Sequence, residues 1–345
     1  MNRRKLLPIT TSMVVMAMMT MLVFMTSCQS ELTKGKLYLR DGKDDEAQRY
    51  LEQAQAKRPT DPEVPFLIGT LHARRGEYAQ MNEAFERCLA LGDDHFLGVD
   101  RVRTDHFTTE YNRGVTILNG QPPGYAAAAR AFTAATVINP GQAAGWRNLG
   151  YAYFKLDSLR AATNAYEGAA RADASDPVSW FDLGTAQLAN QRYGDAIASF
   201  EQLMNLDPQH WDGLRSLAQA YEGSGDTDAA IGVYERLLAV RPADEAAYYN
   251  LGNLHWQQQA YDQASAAYEA ALALDPYDDD ALHNLALCYI VVEDTEKALP
   301  LLLQLVERMP ENAILWRELG RLHYLRGELA ESERAFAREE ALSPE

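Results

Sequence analysis

The amino-acid sequence predicts an all-α solenoid of about nine stacked helix-turn-helix units after an N-terminal signal segment. Prolines recur every 34 residues, at Pro208, Pro242, Pro276, Pro310 and Pro344. Small residues recur with the same period, at Gly150, Gly184, Ala218, Gly252, Ala286 and Gly320. A bulky residue follows each of them, at Tyr166, Phe200, Tyr234, Tyr268, Leu302 and Phe336. Three columns in one phase indicate a repeated structural unit.

Each column has a physical role in a pair of antiparallel helices. Glycine or alanine lets the two helices approach closely, and the bulky side chain is expected to fill the gap between one repeat and the next. Proline ends the second helix, because the residue before a proline disfavours the α conformation. One helix pair cannot bury its apolar face alone, so neighbouring repeats must stack.

The repeated motif resembles the tetratricopeptide repeat (TPR). One copy carries the motif at Trp146, Leu149, Gly150, Tyr153, Ala162, Tyr166 and Ala169. Another copy carries it at Tyr248, Leu251, Gly252, Ala264, Tyr268, Ala271 and Pro276. The resemblance implies a right-handed superhelical solenoid that acts as a scaffold for protein partners.

The repeat period divides the chain into four parts. Residues 1–27 are predicted to be a lipoprotein signal peptide, and residues 28–92 to form two N-terminal TPR-like repeats. Residues 93–142 are expected to form an irregular TPR-like unit with an extended first helix. Residues 143–345 contain six regular repeats.

The N-terminus has the three parts of a secretory signal: basic residues 3–5, an apolar run over residues 13–25, and small residues after it. The apolar run is shorter than the ~20 residues that span a bilayer as a helix. Residues 25–28 resemble the lipobox of bacterial lipoproteins, in which the final cysteine, here Cys28, receives acyl chains. Met25 replaces the usual leucine, so an uncleaved helical anchor and an ordinary cleaved signal remain alternatives.

Lipidation would anchor the mature protein to a membrane without spanning it, since acyl chains such as palmitate replace the removed signal helix. In the resembling lipoproteins of Gram-negative bacteria, an aspartate after the cysteine favours retention in the inner membrane. This chain has Gln29 at that position. The resemblance therefore implies the bacterial outer membrane, facing the periplasm, with the inner membrane as the alternative.

The composition argues against nucleic-acid binding and against a disulfide framework. The formal net charge of −17 would repel a phosphate backbone, so nucleic-acid binding is not expected. Three cysteines are too few for a disulfide framework. In a solenoid whose repeats touch only their neighbours, Cys88 and Cys288 cannot pair, and both are expected to be buried small hydrophobes.

Catalytic or metal chemistry has no clear basis in the sequence. His72, His255 and His323 fall at the eleventh position of their repeats, where tyrosine stands elsewhere, and are expected to be packing residues. No histidines are at metal-ligand spacing, and the acidic runs are expected to be solvated helix starts, with calcium binding as the alternative. We therefore expect no enzyme activity, no cofactor and no metal. A TPR-bearing enzyme would also need a catalytic domain, for which the repeats leave no room.

The resemblance also implies a binding surface, because the first helix of each TPR lines a concave groove. Side chains at positions 2, 5, 6, 9, 12 and 13 of that helix face the ligand in the family. Here the predicted partner-binding residues are Arg147, Asn148, Tyr151, Lys155, Phe181, Arg215, Gln219, Tyr249, Asn250, Asn253, Trp256, His283, Asn284, Arg317, Arg321 and Tyr324. Aromatic rings supply buried area, and amides can bond an extended backbone. Glu318 stands where a carboxylate clamp needs a basic residue, so no such clamp is expected.

The leading hypothesis is a membrane-anchored scaffold that binds a protein or peptide partner in this groove to assemble an envelope complex. A second hypothesis concerns the last repeat, which has no capping helix after it. Its apolar edge at Leu329, Phe336 and Leu342 could form a homo-oligomer interface. A third makes the chain a non-catalytic accessory subunit of a polysaccharide or secretion machine.

Overall fold

The computed structural model describes residues 30–343, which form eighteen α-helices and contain no β-strand. The predicted all-α repeat fold is confirmed for this part of the chain. The predicted signal peptide and Cys28 lie outside the described residues. The chain divides into two compact units, with the boundary between Leu156 and Asp157.

The first unit contains helices α1 to α7. Their bounds are Glu31–Arg40, Asp44–Lys57, Glu63–Arg75, Tyr78–Leu91, Phe96–Leu118, Tyr125–Ile138 and Ala143–Lys155. The helices pack as hairpins, α1 with α2, α3 with α4 and α5 with α6, and α7 packs on α6. Helix α5 has 23 residues. Large fully buried side chains from the second helix of each hairpin, Leu51, Phe85 and Phe132, form the core.

The second unit contains helices α8 to α18. Their bounds are Leu159–Ala172, Pro177–Ala189, Tyr193–Leu206, Trp211–Ser224, Thr227–Val240, Glu245–Gln257, Tyr261–Leu274, Asp279–Val291, Thr295–Arg308, Ala313–Leu325 and Leu329–Leu342. Helix α8 packs on α9, and from α9 onwards every helix packs on the next one along the chain. The unit is therefore a stack of five hairpins behind α8, each burying its apolar face against its neighbours.

The periodic small residues set how closely the two helices of a hairpin approach. A Cβ added to Gly184 would lie 2.6 Å from Cε1 of Phe200, and one added to Gly252 would lie 2.6 Å from Cε1 of Tyr268. The ring thus lies directly on the glycine of its own repeat. This contact within the hairpin was not predicted from the sequence. Tyr268 also belongs to one buried cluster with Leu282 and Leu285 of the next repeat, as expected for a ring at the gap between repeats.

The turn between the two helices of a repeat also has a 34-residue period. In the second unit one turn residue has a left-handed backbone in every repeat, whatever its type. Three of these residues are not glycine, with φ from 57° to 60°: Gln191, Gln259 and Glu293. Gly225 and Gly327 hold the same position with φ of 83° and 77°. A left-handed backbone costs a non-glycine residue about 1–2 kcal/mol, so packing of the two helices overrides the local preference.

Candidate functional site

The predicted partner-binding residues of the second unit lie on α9, α11, α13, α15 and α17, the first helices of their hairpins. We call this surface the first-helix face. It is defined by Phe181, Arg215, Gln219, Tyr249, Asn250, Asn253, Trp256, His283, Asn284, Arg317, Arg321 and Tyr324. All of these residues are half-buried or exposed. The surface is therefore accessible to a ligand, although many of its polar groups already bond one another.

Two asparagines and two tyrosines form the central cluster of the first-helix face. The Tyr268 hydroxyl donates to Oδ1 of Asn253 at 2.7 Å. Asn284, on the next first helix, donates from Nδ2 to the same Oδ1 at 3.3 Å and to the Tyr249 hydroxyl at 3.4 Å. The cluster joins two consecutive repeats and holds both amide planes in place.

A second network links α13 to the preceding repeat through the fully buried Tyr234. Asn250 donates from Nδ2 to the hydroxyl of Tyr234 at 3.1 Å, and that hydroxyl bonds Oε1 of Glu222 at 2.5 Å. Burial, and then the bond to Glu222, raise the pKa of Tyr234 far above its usual value. The phenol therefore stays protonated and can donate to Glu222 at any physiological pH.

Arg215 is fixed by an aspartate of the following repeat. Its Nη2 donates to Oδ2 of the buried Asp244 at 2.6 Å. Arg241 approaches the same carboxylate at 3.6 Å. Both guanidinium groups also lie over the Trp211 ring, at 5.2 Å and 4.2 Å from its centroid. Asp244 further caps α13 by accepting from the backbone N–H of Ala247 at 3.1 Å. The charge of Arg215 is thus used within the protein.

His283 and Arg317 are also paired with acids. Nε2 of His283 lies 2.7 Å from Oε2 of Glu318, on the next first helix. That hydrogen bond to Glu318 raises the pKa of His283 above its usual value. Arg317 lies 4.0 Å from Glu339. Glu318, which departs from the clamp pattern in sequence, therefore neutralises a basic neighbour.

The remaining members of the first-helix face are aromatic or unpaired. Phe181 packs against His210 at 5.1 Å between ring centroids, and Trp256 meets Tyr261 edge-on at 5.1 Å. Three further side chains have no hydrogen bond or ion pair within the described part of the second unit: Gln219, Arg321 and Tyr324. These three are the most accessible of the set.

Four predicted partner-binding residues belong to the first unit and lie on α7. Asn148 donates from Nδ2 to the Tyr111 hydroxyl on α5 at 3.0 Å. The Lys155 ammonium lies 5.4 Å from the centroid of the Tyr151 ring. Tyr151 and Lys155 are exposed, whereas Arg147 and Asn148 are half-buried. The longer helix α5 supplies Tyr111, a partner for the α7 amide that the repeat pattern did not predict.

The three histidines at the eleventh repeat position are half-buried, and two of them have a specific partner. Nδ1 of His72 lies 2.6 Å from Glu77, and Nδ1 of His323 lies 2.6 Å from Glu328, five residues later in each case. His255 has Ala260 at that position, and its buried Nδ1 has no partner within residues 30–343. Burial lowers the pKa of His255. The signal that sequence reasoning missed is therefore a glutamate five residues after the histidine.

Replacing Ala260 by glutamate is expected to stabilise the protein by about 1 kcal/mol, because the carboxylate would reach the unpaired Nδ1 of His255. The backbone is already suitable, since Ala260 has φ −87° and ψ 64° while Glu77 has −88° and 66°. Thermal unfolding of the wild type and the Ala260→Glu variant measures the difference.

The same variant should change how stability depends on pH. In the wild type, the lowered pKa of His255 makes its contribution to the free energy of unfolding complete above the unfolded-state pKa of ~6.5. That contribution is lost as the pH falls through the lower folded-state pKa. A carboxylate at position 260 would add to the nearby charge of Glu235 and raise that pKa, so the variant should lose less stability on acidification. Ala260→Gln is the matched control, because it offers a hydrogen bond without the charge. Equal stability of all three proteins at every pH would contradict the assignment.

Neither a disulfide nor a cluster of side chains that could hold a metal ion is present among residues 30–343. Cys88 and Cys288 are free and buried, as predicted, and burial raises the pKa of both thiols, that of Cys288 to about 11. Within residues 30–343 no group of three or more His, Cys, Asp or Glu side chains is arranged to hold a metal ion. In the same range no helix has both the length and the apolar composition needed to cross a bilayer.

Several solved structures are similar to this chain at low sequence identity. YrrB, described as a TPR protein with an unusual peptide-binding site, is 22% identical, with 54% of this chain and 96% of YrrB covered and a TM-score of 0.48. The C-terminal part of a TPR repeat-containing protein from Cytophaga hutchinsonii is 19% identical, with 73% and 98% covered and a TM-score of 0.47. A tetratricopeptide repeat protein from Parabacteroides merdae is 15% identical, with 69% and 93% covered and a TM-score of 0.48.

A search of curated proteins finds no match, whereas three family models match parts of this chain. The tetratricopeptide repeat model matches residues 34–63, and the model of the cilia and flagella-associated protein 70 middle TPR-like domain matches residues 214–343. The model of the cilia and flagella-associated protein 70 C-terminal domain matches residues 60–272, more than half of the chain. The chain therefore belongs to this tetratricopeptide-repeat family.

Proposed function

We propose that the chain is a non-catalytic, membrane-anchored scaffold that binds an extended segment of a protein partner on its first-helix face and so assembles an envelope complex. The observation that carries this proposal is the unpaired amide donor and acceptor that Asn253 and Asn284 present side by side. Family membership supports the scaffold role, because TPR units bind through their repeated helices.

The hydrogen-bond inventory of the two amides identifies which groups remain for a ligand. Oδ1 of Asn253 accepts from Tyr268 and from Asn284. The two N–H groups of Asn253 have no partner among the described residues. Nδ2 of Asn284 is engaged with Asn253 and Tyr249, which leaves its Oδ1 unpaired. A side-chain amide offers two donors and one acceptor oxygen, so each residue retains one kind of group.

A fixed donor beside a fixed acceptor complements the C=O and N–H groups of an extended peptide backbone. Because Tyr249 and Tyr268 hold the amide planes, little side-chain entropy is lost when a ligand binds. Half-buried rings at Tyr249 and Trp256 border the amides and add apolar area for the side chains of the ligand. The surface therefore suits a peptide with alternating backbone bonds and apolar contacts.

The membrane anchor in this proposal rests on the amino-acid sequence alone. Basic residues 3–5, the apolar run 13–25 and the lipobox-like residues 25–28 support lipidation at Cys28. We propose the periplasmic face of a bacterial outer membrane as its location, because Gln29 stands where an aspartate would favour retention in the inner membrane. Fractionation of cells that carry the Cys28→Ala variant tests this part, since loss of lipid should move the protein out of the membrane fraction.

Cross-linking in intact cells followed by mass spectrometry tests the binding surface. The double variant Asn253→Ala with Asn284→Ala should lower recovery of the cross-linked partner by about ten-fold, the effect of ~1.4 kcal/mol of binding energy. Asn205→Ala is the matched control, because Asn205 is an exposed asparagine on the second helix of its hairpin. Equal recovery with the double variant and the wild type would refute the proposed surface, provided circular dichroism shows both folded.

Self-assembly through the C-terminal edge is a second candidate that specific exposures favour. Leu329 is 60% exposed and Phe336 is 36% exposed, both on the second helix of the last hairpin described. Light scattering of the full-length protein over a range of concentrations decides this. A mass that stays at one chain would remove this candidate.

A further inference from the structure

An exposed apolar cluster lies where the first helices of the last two repeats end. We call it the turn-edge patch, and it consists of Val291, Val292, Tyr324, Leu325 and Leu329. Their exposed fractions are 46%, 43%, 64%, 60% and 60%, respectively. Contiguous exposed apolar side chains commonly mark a site of interaction with another molecule.

The repeat fold does not require apolar residues at three of the five patch positions. The earlier repeats of the second unit carry Ala189, Gly223 and Gln257 where Val291 and Leu325 stand. They carry Asn190, Ser224 and Gln258 where Val292 stands. These earlier hairpins form the same turn with polar or small residues, so folding does not require the apolar side chains of Val291, Val292 and Leu325.

An ion pair joins the two halves of the turn-edge patch. Arg326 follows Leu325 directly, and its Nη1 lies 2.7 Å from Glu296 and 3.5 Å from the hydroxyl of Thr295, at the start of α16 in the preceding repeat. This contact brings the end of α17 next to the turn that follows α15. Val291 and Val292 therefore lie on the same edge as Tyr324, Leu325 and Leu329, in one surface.

The border of the turn-edge patch is acidic. Glu293, Glu296 and Glu331 are exposed around it. Two adjacent basic groups are already used: Arg326 is paired with Glu296 and Glu328, and Lys297 is paired with Asp294 at 3.5 Å. Arg321, one turn before Leu325, is an unpaired basic group at the border, against the unpaired Glu293 and Glu331. An apolar surface with an acidic border favours a ligand that has apolar side chains flanked by positive charge.

We propose that the turn-edge patch binds a segment of a partner protein whose apolar side chains are flanked by lysine or arginine. A second copy of this chain would bring an equally acidic border against the first, and the net charge of −17 opposes that approach. The patch lies on the turn edge, and it shares Tyr324 with the first-helix face and Leu329 with the C-terminal edge proposed for self-assembly. The inference therefore holds independently of peptide binding by Asn253 and Asn284.

Selection from a phage-displayed library of random peptides, with the full-length protein as bait, tests the inference. The enriched peptides are expected to combine apolar residues with lysine or arginine. They should bind the Val292→Ser, Leu325→Ser double variant at least about ten-fold more weakly than the wild type. Val178→Ser is the matched control, because Val178 is similarly exposed, at 43%, on a different helix of the same unit. Binding to this control should be unchanged.

Three results would overturn the inference. The first is that no peptide class is enriched, or that the enriched class is acidic. The second is that every enriched peptide binds the Val292→Ser, Leu325→Ser variant normally but loses binding to the Asn253→Ala, Asn284→Ala variant, which would support the first-helix face alone. The third is a wild-type dimer that the serine variant converts to a monomer by light scattering, because the patch would then bind a second copy.

Discussion

Replacing Gly252 by leucine is expected to destabilise the second unit by about 3 kcal/mol, at the upper end of typical overpacking costs. The Cβ of any side chain at this position would lie 2.6 Å from Cε1 and 2.7 Å from Cδ1 of Tyr268. Tyr268 cannot move away easily, because it is almost fully buried and its hydroxyl is bonded to Asn253. Thermal and urea unfolding of the full-length protein would show the loss.

A glycine elsewhere in the same unit provides the control. Gly232 lies inside α12, and a Cβ added to it would meet no atom within 4 Å. Gly232→Ala should therefore raise stability by up to about 1 kcal/mol through helix propensity alone. If Gly252→Leu were as harmless as Gly232→Ala, the close contact between the two helices of the hairpin would be disproved.

The Gly252 substitution should also disturb the binding surface. Displacing Tyr268 removes one of the two hydrogen bonds that fix Asn253, so its amide would lose a defined orientation. Repeat stacks lose stability locally, because each repeat contacts only its neighbours. Hydrogen exchange is therefore expected to rise most in α13 and α14 and their adjacent helices. The same residue column thus serves both packing and the geometry of the site.

The sequence predicts the fold well because its information is periodic. Proline, glycine and aromatic columns require the same helix pair in each repeat, and the observed hairpins follow them. The left-handed turn residues could not be predicted, since Gln259 and Glu293 have no local preference for that conformation. Their backbone is imposed by the packing of the helices on either side. The period locates the turn, whereas tertiary contacts determine its geometry.

The candidate site is less predictable, because its chemistry depends on partners from the next repeat. Arg215 and His283 are two of the predicted partner-binding residues. The structure pairs Arg215 with Asp244 and His283 with Glu318, which lie 29 and 35 residues further along the chain. A spacing near the repeat length, between opposite charges on adjacent helices, is a signal that could have revealed both pairs. No such spacing rule identifies the Asn253 and Asn284 pair, whose unpaired groups follow from the hydrogen-bond inventory.

Replacing Asp244 by alanine is expected to lower the free energy of unfolding by about 2–3 kcal/mol. The buried carboxylate holds Arg215 at 2.6 Å and caps α13 through the N–H of Ala247. Breaking a fully buried ion pair costs about 3–5 kcal/mol, but Arg215 and Arg241 are 31% and 45% exposed, so water screens part of that loss. Loss of the helix cap adds about 1 kcal/mol.

Asp244→Asn separates the two contributions. Asparagine caps a helix about as well as aspartate, so this variant keeps the bond to Ala247 and loses mainly the charge opposite Arg215. Its stability should lie between those of the wild type and Asp244→Ala. Equal losses in both variants would assign the whole effect to the ion pair, and an unaffected Asp244→Asn would assign it to the cap. If the ion pair dominates, Arg215 joins two repeats rather than contacting a partner, and Arg215→Ala should reduce stability more than partner recovery.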